Sequence, residues 1–398
     1  MTAERQTNRF LLLYALACAG GAVAYVPFLS ILLPVKITTL AGQGSAASWL
    51  AYIAFAGAVA ASLGNIGFGY VSDITGNRRG WTGLGLILSC AMLLAVSQAH
   101  SVMAVAVVVV AWQLCLNMML APLAAWAADC VPESQMGVLG GLMAFAPAIG
   151  ALAGAFVTLT GLASADGRLV WVAAMVVACV LPLLVIAAPP PVQRGPMVSI
   201  RPDPVKKAPS MAPASGGVWG MWMARLIVQV AQVSLFSYLY FWLRSIDPAI
   251  GDAQTARTFG LIQLLSAPLA LGVGRWADSR SRPLAPLVTC ALMAALGLMA
   301  MALSKTMTMA IAAYGLFGFT TSVFLALHSA QTLRVLPSSA RRGRDLGLFN
   351  LTNTLPSMIM PGLTLILLPH FGFSGLFWVL ALLTLMAGLL MGWVRYRS

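Results

Sequence analysis

One acid and two arginines stand together in an otherwise uncharged neighbourhood: Asp73, Arg78 and Arg79, within "GFGYVSDITGNRRG" at 67–80. A carboxylate there can pair with a guanidinium or settle on a helix N-terminus. Gly69 allows close approach of a neighbouring helix, and Gly76 a tight reversal. A second acid, Asp278, follows Gly274 in the same way, with Arg280 and Arg282 behind it. Asp129 and Glu133 lie in "DCVPESQM" with no base beside them. Two readings stay open for them: pairing with Arg280 or Arg282, and plain solvation. Arg225 and His328 sit inside apolar stretches, where a charge is expensive and needs a protein or water partner. The sequence holds no GxSxG, no HExxH, no P-loop and no metal-ligand cluster. Such residues bind, latch and exchange protons; they do not compose a catalytic centre or an ATP motor.

The elements that must position them are membrane helices. Residues are 60% hydrophobic and only 8% charged, against about a quarter charged in soluble domains. The net charge of +13 does not point to nucleic acid, because the basic residues sit in short loops between apolar runs instead of on one polar face. The six cysteines are scattered without a CxxC pair and read as small helix hydrophobes. Twelve apolar segments are long enough to cross a bilayer: 10–35, 46–72, 81–98, 101–128, 137–160, 168–188, 218–243, 255–276, 284–303, 306–333, 346–369 and 372–394. The first is too long for a signal peptide and reads as an uncleaved span.

An even number of spans puts both termini on one side. Loops of that side hold seventeen of the twenty-three Lys and Arg, and the opposite side five. The positive-inside bias therefore places both termini in the cytoplasm, with a bacterial inner membrane expected. A proline-rich stretch with four basic residues cannot pack a core and reads as a linker. The expected organisation is a six-helix bundle over 1–188, a cytoplasmic linker over 189–217 and a second bundle over 218–398. The halves echo each other: Gly69-x-x-x-Asp73 recurs as Gly274-x-x-x-Asp278, and Pro132 recurs as Pro337, each at an offset of 205. Parallel repeats of this kind suit a central pathway near the bilayer midplane.

Gly69-x-x-x-Asp73-x-x-Gly76-x-Arg78-Arg79 resembles the signature loop of the major facilitator superfamily, and Gly274-x-x-x-Asp278 with Arg280 and Arg282 its weaker second copy. Ile74 and Asn77 depart from the pattern. The resemblance covers the whole chain and implies an all-α fold of twelve spans in two pseudo-symmetric bundles, working as a secondary transporter by alternating access. It also implies that Asp73 meets the start of the eleventh span, near Leu346, when the cytoplasmic side is closed. Asp278 would then meet the start of the fifth, near Gly137, each acid a latch worth roughly 0.3–1 kcal/mol.

In the resembling family spans 1, 4, 7 and 10 line the cavity. At 100° per residue their polar stripes are Tyr14 and Tyr25 around Gly21; Gln113 and Asn117; Arg225, Gln229 and Gln232 with Phe236 and Tyr240; and Tyr314, Thr321 and His328. Taken one at a time, such residues are more often interhelical glue; for Arg225 the alternative is snorkelling to the surface, which the two glutamines on its face weigh against. Together they suit an uncharged or weakly charged organic solute. His328 and Asp129 are the candidates for proton coupling, with a purely structural histidine as the alternative. "ARLIVQVAQVSLFSYLYFWL" and "LGLFNLTNTLPSMIMPG" look similar to sucrose- and glycoside-type carriers. "GLMAFAPAIGALAG" would fit that group, and also faintly resembles a drug-antiporter motif, without its glycine before Pro147. A sugar-like substrate is therefore the first expectation, efflux of an amphipathic compound the second, and a non-transporting sensor or scaffold a remote third. The expected partners are a small-molecule substrate, a proton or other cation, and lipid around a monomer; no cofactor and no nucleic acid are expected.

Overall fold

The structure, a computed structural model, describes residues 6–143, 145–186, 215–279, 284–335 and 342–397. The chain folds as α1 (Asn8–Ala41), α2 (Gln43–Thr75), α3 (Arg78–Ala95), α4 (Val102–Cys130), α5 (Glu133–Met143 continued by Ala146–Val157) and α6 (Ala165–Ile186). The second set is α7 (Ser215–Ile246), α8 (Asp252–Ser279), α9 (Ala285–Ala302) and α10 (Met307–Val335). The segment Arg342–Arg397 is broken at Gly372, where φ is 63° and ψ is −168°, into α11 (342–371) and α12 (373–397). Length and apolar composition alone qualify nine spans among the described residues. α11 and α12 count there as one stretch, α5 is divided, and α8 is the more polar, which accounts for the twelve. Most of the expected linker lies outside the described residues, and α7 begins at Ser215, slightly before the expected 218.

Twelve alternating crossings bring α1 in and α12 out on one face, the terminal face; the other is the far face. The outside is apolar: Ile66, Ile87, Val185 and Ile366 are exposed, as a lipid-facing surface requires. Duplication is visible in the packing. A Cβ on Gly85 of α3 would lie 2.3 Å from the Met119 amide of α4. A Cβ on Gly297 of α9 would lie 2.8 Å from the Phe317 amide of α10. The same backbone-close crossing is thus made once in each half, by a residue with no side chain to obstruct it.

α1 is not a uniform helix. Its turn Phe28–Leu32 is π-helical, with the Leu33 amide bonded to the Phe28 carbonyl. Pro34 follows; it offers no amide to the Ser30 carbonyl and its ring crowds that carbonyl, so a widened turn relieves both problems. Phe28, presented by this turn, packs edge-on against Trp112 of α4, with ring centroids 4.8 Å apart.

Candidate functional site

On the terminal face, α2 ends at Thr75 and the chain reverses through Gly76 at φ 61°. Asn77 then caps α3, its Oδ1 accepting from the Gly80 amide at 2.8 Å. A departure from the loop pattern is thus a helix cap. Arg78 reaches back over the turn. Its guanidinium pairs with Asp73, donates from Nε to Asp129 of α4 at 3.0 Å, and donates to Ser72 Oγ at 2.6 Å. Ser72 is buried and passes its own proton to the Gly69 carbonyl. Trp81 donates to Thr75 Oγ1 at 2.8 Å. Three helices of the first half are tied by one arginine. Arg79 is exposed.

Two expectations change. Gly69 faces open space, since an added Cβ would meet nothing within 4 Å. The close approach of α2 is made instead at Gly64, where a Cβ would lie 3.2 Å from Asn117 Cβ and 3.5 Å from the Leu114 backbone. The 69–76 end of α2 runs past its neighbour, so its glycine has nothing to accommodate. Asp129, expected to look toward the second half or to water, is held by Arg78 of its own half. Arg280 and Arg282 lie outside the described residues. Glu133 and Asp278 lie in α5 and α8, and Gly274 in α8, but neither acid's side chain is among the described parts. α5 and α11 begin at Glu133 and Arg342, some four residues ahead of the expected starts.

Several of the polar stripes are spent on packing between helices. Tyr14 is buried and donates to the Leu123 carbonyl at 2.9 Å, fastening α1 to α4. Gln113 lies against Gly57 of α2, and Asn117 accepts from Asn65 Nδ2 at 3.4 Å, so the α4 pair faces α2. Asn65, not singled out in the sequence, completes that contact. Tyr314 is buried, and Thr321 is buried with its hydroxyl on the Phe317 carbonyl. His328 is buried too, its Nε2 2.9 Å from the Met221 carbonyl of α7, which places a proton on that nitrogen as donor.

The α7 stripe is different. Arg225 is half-buried and donates from Nε to Thr352 of α11 at 3.0 Å. One turn on, the Gln229 Oε1 is buried without a hydrogen-bond partner. Gln232 is half-buried on the same stripe, and Phe236 meets Tyr25 of α1 across the halves at 6.4 Å between ring centroids. Tyr240 lies beyond, its hydroxyl accepting from Arg244 at 2.7 Å.

At the far face the described residues of the two halves meet. Arg168, at the start of α6, pairs with Asp252, at the start of α8, and their side chains are only 16% and 21% exposed. Tyr238 of α7 donates to the Ala47 carbonyl of α2 at 3.3 Å. Gly260 of α8 lies against Ala151 of α5, where a Cβ would be 3.3 Å from the carbonyl oxygen. Neither Arg168 nor Asp252 was read as a gate in the sequence. Both were legible only as loop charges near span ends, far apart in the chain.

Comparison with known structures finds this architecture elsewhere. The chain superimposes with a TM-score of 0.73 on a bacterial homolog of the human lysosomal transporter Spinster, in an inward-facing and unoccupied conformation, at 14% identity over 98% of both chains. It superimposes equally well, TM-score 0.73, on a D-xylose–proton symporter at 14% identity over 97% of both chains. No curated protein matches. The sequence profile of the Major Facilitator Superfamily matches residues 10–337 and 287–398. With twelve helices, a duplicated packing and the loop at Gly69–Arg79, the chain belongs to the Major Facilitator Superfamily of transporters.

Proposed function

We propose that this transporter moves a small hydroxyl-bearing organic solute, sugar-like, past the polar stripe of α7 by alternating access of its two halves. The observation that carries this is Gln229 Oε1, a buried acceptor without a partner one turn from Arg225. A buried acceptor left unpaired costs about 1–3 kcal/mol. A solute hydroxyl that donates to it recovers that free energy, while Arg225 and Gln232 supply donors. The halves 1–188 and 218–398 move as bodies joined by the 189–217 linker, both termini lie in the cytoplasm, and the membrane is the bacterial inner membrane. The cross-half contacts among the described residues at the far face support a far face that is closed.

The aromatic contacts of Phe236 with Tyr25 and with Phe259, at 6.4 and 5.9 Å, favour one second reading: export of an amphipathic compound that lies against those rings. A thermal-shift panel of sugars and amphiphiles on the purified transporter separates the two, because a ligand stabilises what it binds. Stabilisation by a sugar that is lost in Gln229→Leu supports the first reading. Stabilisation by amphiphiles alone, unchanged in Gln229→Leu, replaces it with the second. A solved neighbour named for D-xylose and proton makes proton coupling the first to test. Uptake into proteoliposomes that ignores a proton ionophore would remove His328 and Asp129 from that role.

A further inference from the structure

A cavity lies on the far face, at the end of α7 beyond Tyr240. Its volume is about 240 Å³, below the roughly 300–1,000 Å³ of drug-sized pockets. It sits on the seam. Thr38 and Gly44 come from the first half, and Phe241, Arg244, Ser245 and Phe373 from the second. The lining therefore exists as one surface only while the far face is closed.

Its charge is one-sided. Arg244 is half-buried, and no acidic residue lines the cavity. Among the described residues no carboxylate lies within ion-pair distance of Arg244. The guanidinium is held in place, with its centre 5.5 Å above the Tyr240 ring and one N–H donated to the Tyr240 hydroxyl at 2.7 Å. Thr38 and Ser245 spend their protons on the Pro34 and Trp242 carbonyls. Gly44 belongs to the first turn of α2, whose N-terminus has no side-chain cap, so its amides add positive potential to the same space. Phe241, Phe373 and Leu368 supply an apolar wall. A fixed cation with no counter-charge, beside an apolar wall, fits an anion with an apolar body.

We propose that this seam cavity is a second binding site, for a small organic carboxylate, and that occupancy holds the far face closed. The carboxylate takes the free edge of the Arg244 guanidinium and its ring or chain lies on Phe241 and Phe373. A ligand that touches both halves binds the closed state better than the open one, and this difference shifts the populations. The locking half of the proposal rests on the alternating-access reading; the binding half does not.

The test uses the full-length transporter in nanodiscs with benzoate as probe and benzamide as its uncharged counterpart. Benzoate is expected to raise the melting temperature and benzamide to leave it unchanged. Arg244→Gln is expected to weaken benzoate binding at least tenfold, with Arg244→Lys recovering part of it. Gly44→Leu is the second variant. Gly44 lines the cavity, and a Cβ there clashes with nothing within 4 Å, so the variant places bulk at the rim with Arg244 still in place, and binding should again weaken. Spin labels on both halves of the far face should report a narrower, shorter distance distribution with benzoate. Equal stabilisation by benzoate and benzamide, or benzoate binding that survives both Arg244→Gln and Gly44→Leu, overturns the site. Binding with an unchanged distance distribution overturns the lock.

Discussion

The two faces carry ion pairs of opposite kinds. At the terminal face Arg78 serves Asp73 and Asp129, whose side chains are 60% and 42% exposed, and all three belong to the first half. At the far face Arg168 and Asp252 come from different halves and are 16% and 21% exposed. The charges are of the same kind in both places; burial, which weakens the screening, and connectivity are not. An exposed carboxylate already has water as a partner, so such a pair contributes about 0.2–1 kcal/mol. A pair withdrawn from water leaves a stranded charge when one member is removed, at about 3–5 kcal/mol for full burial. The far pair also acts on the equilibrium between conformations, because it can form only when the halves meet. Among the described residues the terminal cluster joins only parts of the first half.

The largest effect is therefore expected at the far face. Asp252→Asn strands Arg168 and should move the closed–open equilibrium by roughly 1–3 kcal/mol, a five- to 150-fold change in populations. Electron-spin distance measurements across the α6 and α8 starts should show a new, longer population. An unchanged distribution would mean the pair is incidental to closure. Arg168→Asp combined with Asp252→Arg should bring the shorter distance back; failure of the double variant, with both singles shifted, would assign the effect to local packing.

Next comes Arg78→Ala. It removes the shared partner of two carboxylates and of the buried Ser72 hydroxyl, which keeps its bond to the Gly69 carbonyl. A loss of about 1–2 kcal/mol of stability is expected, summed from two exposed pairs and one charged hydrogen bond. Far-face distances should not move, which is the sharpest contrast with Asp252→Asn. The smallest effect on stability belongs to Asp73→Asn, under about 1 kcal/mol, since Asp129 still holds Arg78. That substitution also tests the latch implied by the family resemblance. A loss of transport at unchanged melting temperature would give Asp73 a second partner when the terminal face closes; unchanged transport would confine it to the turn.

Much of this molecule was legible without coordinates. Lipid accepts only backbone that bonds to itself, so apolar runs of about twenty residues had to be helices, and the offset of 205 made them two copies. The reversal at Gly76 was also legible, because few other residues take φ 61° without strain. Gly69 was misread because glycine suits both a close contact and an empty flank, and nothing local distinguishes them. The stripes on α1, α4 and α10 had the right angular spacing, yet angle about one axis does not say which neighbour stands there. Tyr14 found a carbonyl of α4, Asn117 found α2, and His328 found α7.

Sequence by itself determined the helical class, the number of crossings, the duplication and the turn chemistry at 75–80, since each depends on local backbone satisfaction or on hydropathy along the chain. Tertiary structure alone decided the pairing of Arg168 with Asp252, 84 residues apart, the acceptor left bare at Gln229, and the cavity around Arg244. These depend on how two bundles meet, and a meeting of surfaces is a relation among distant residues that no single stretch encodes.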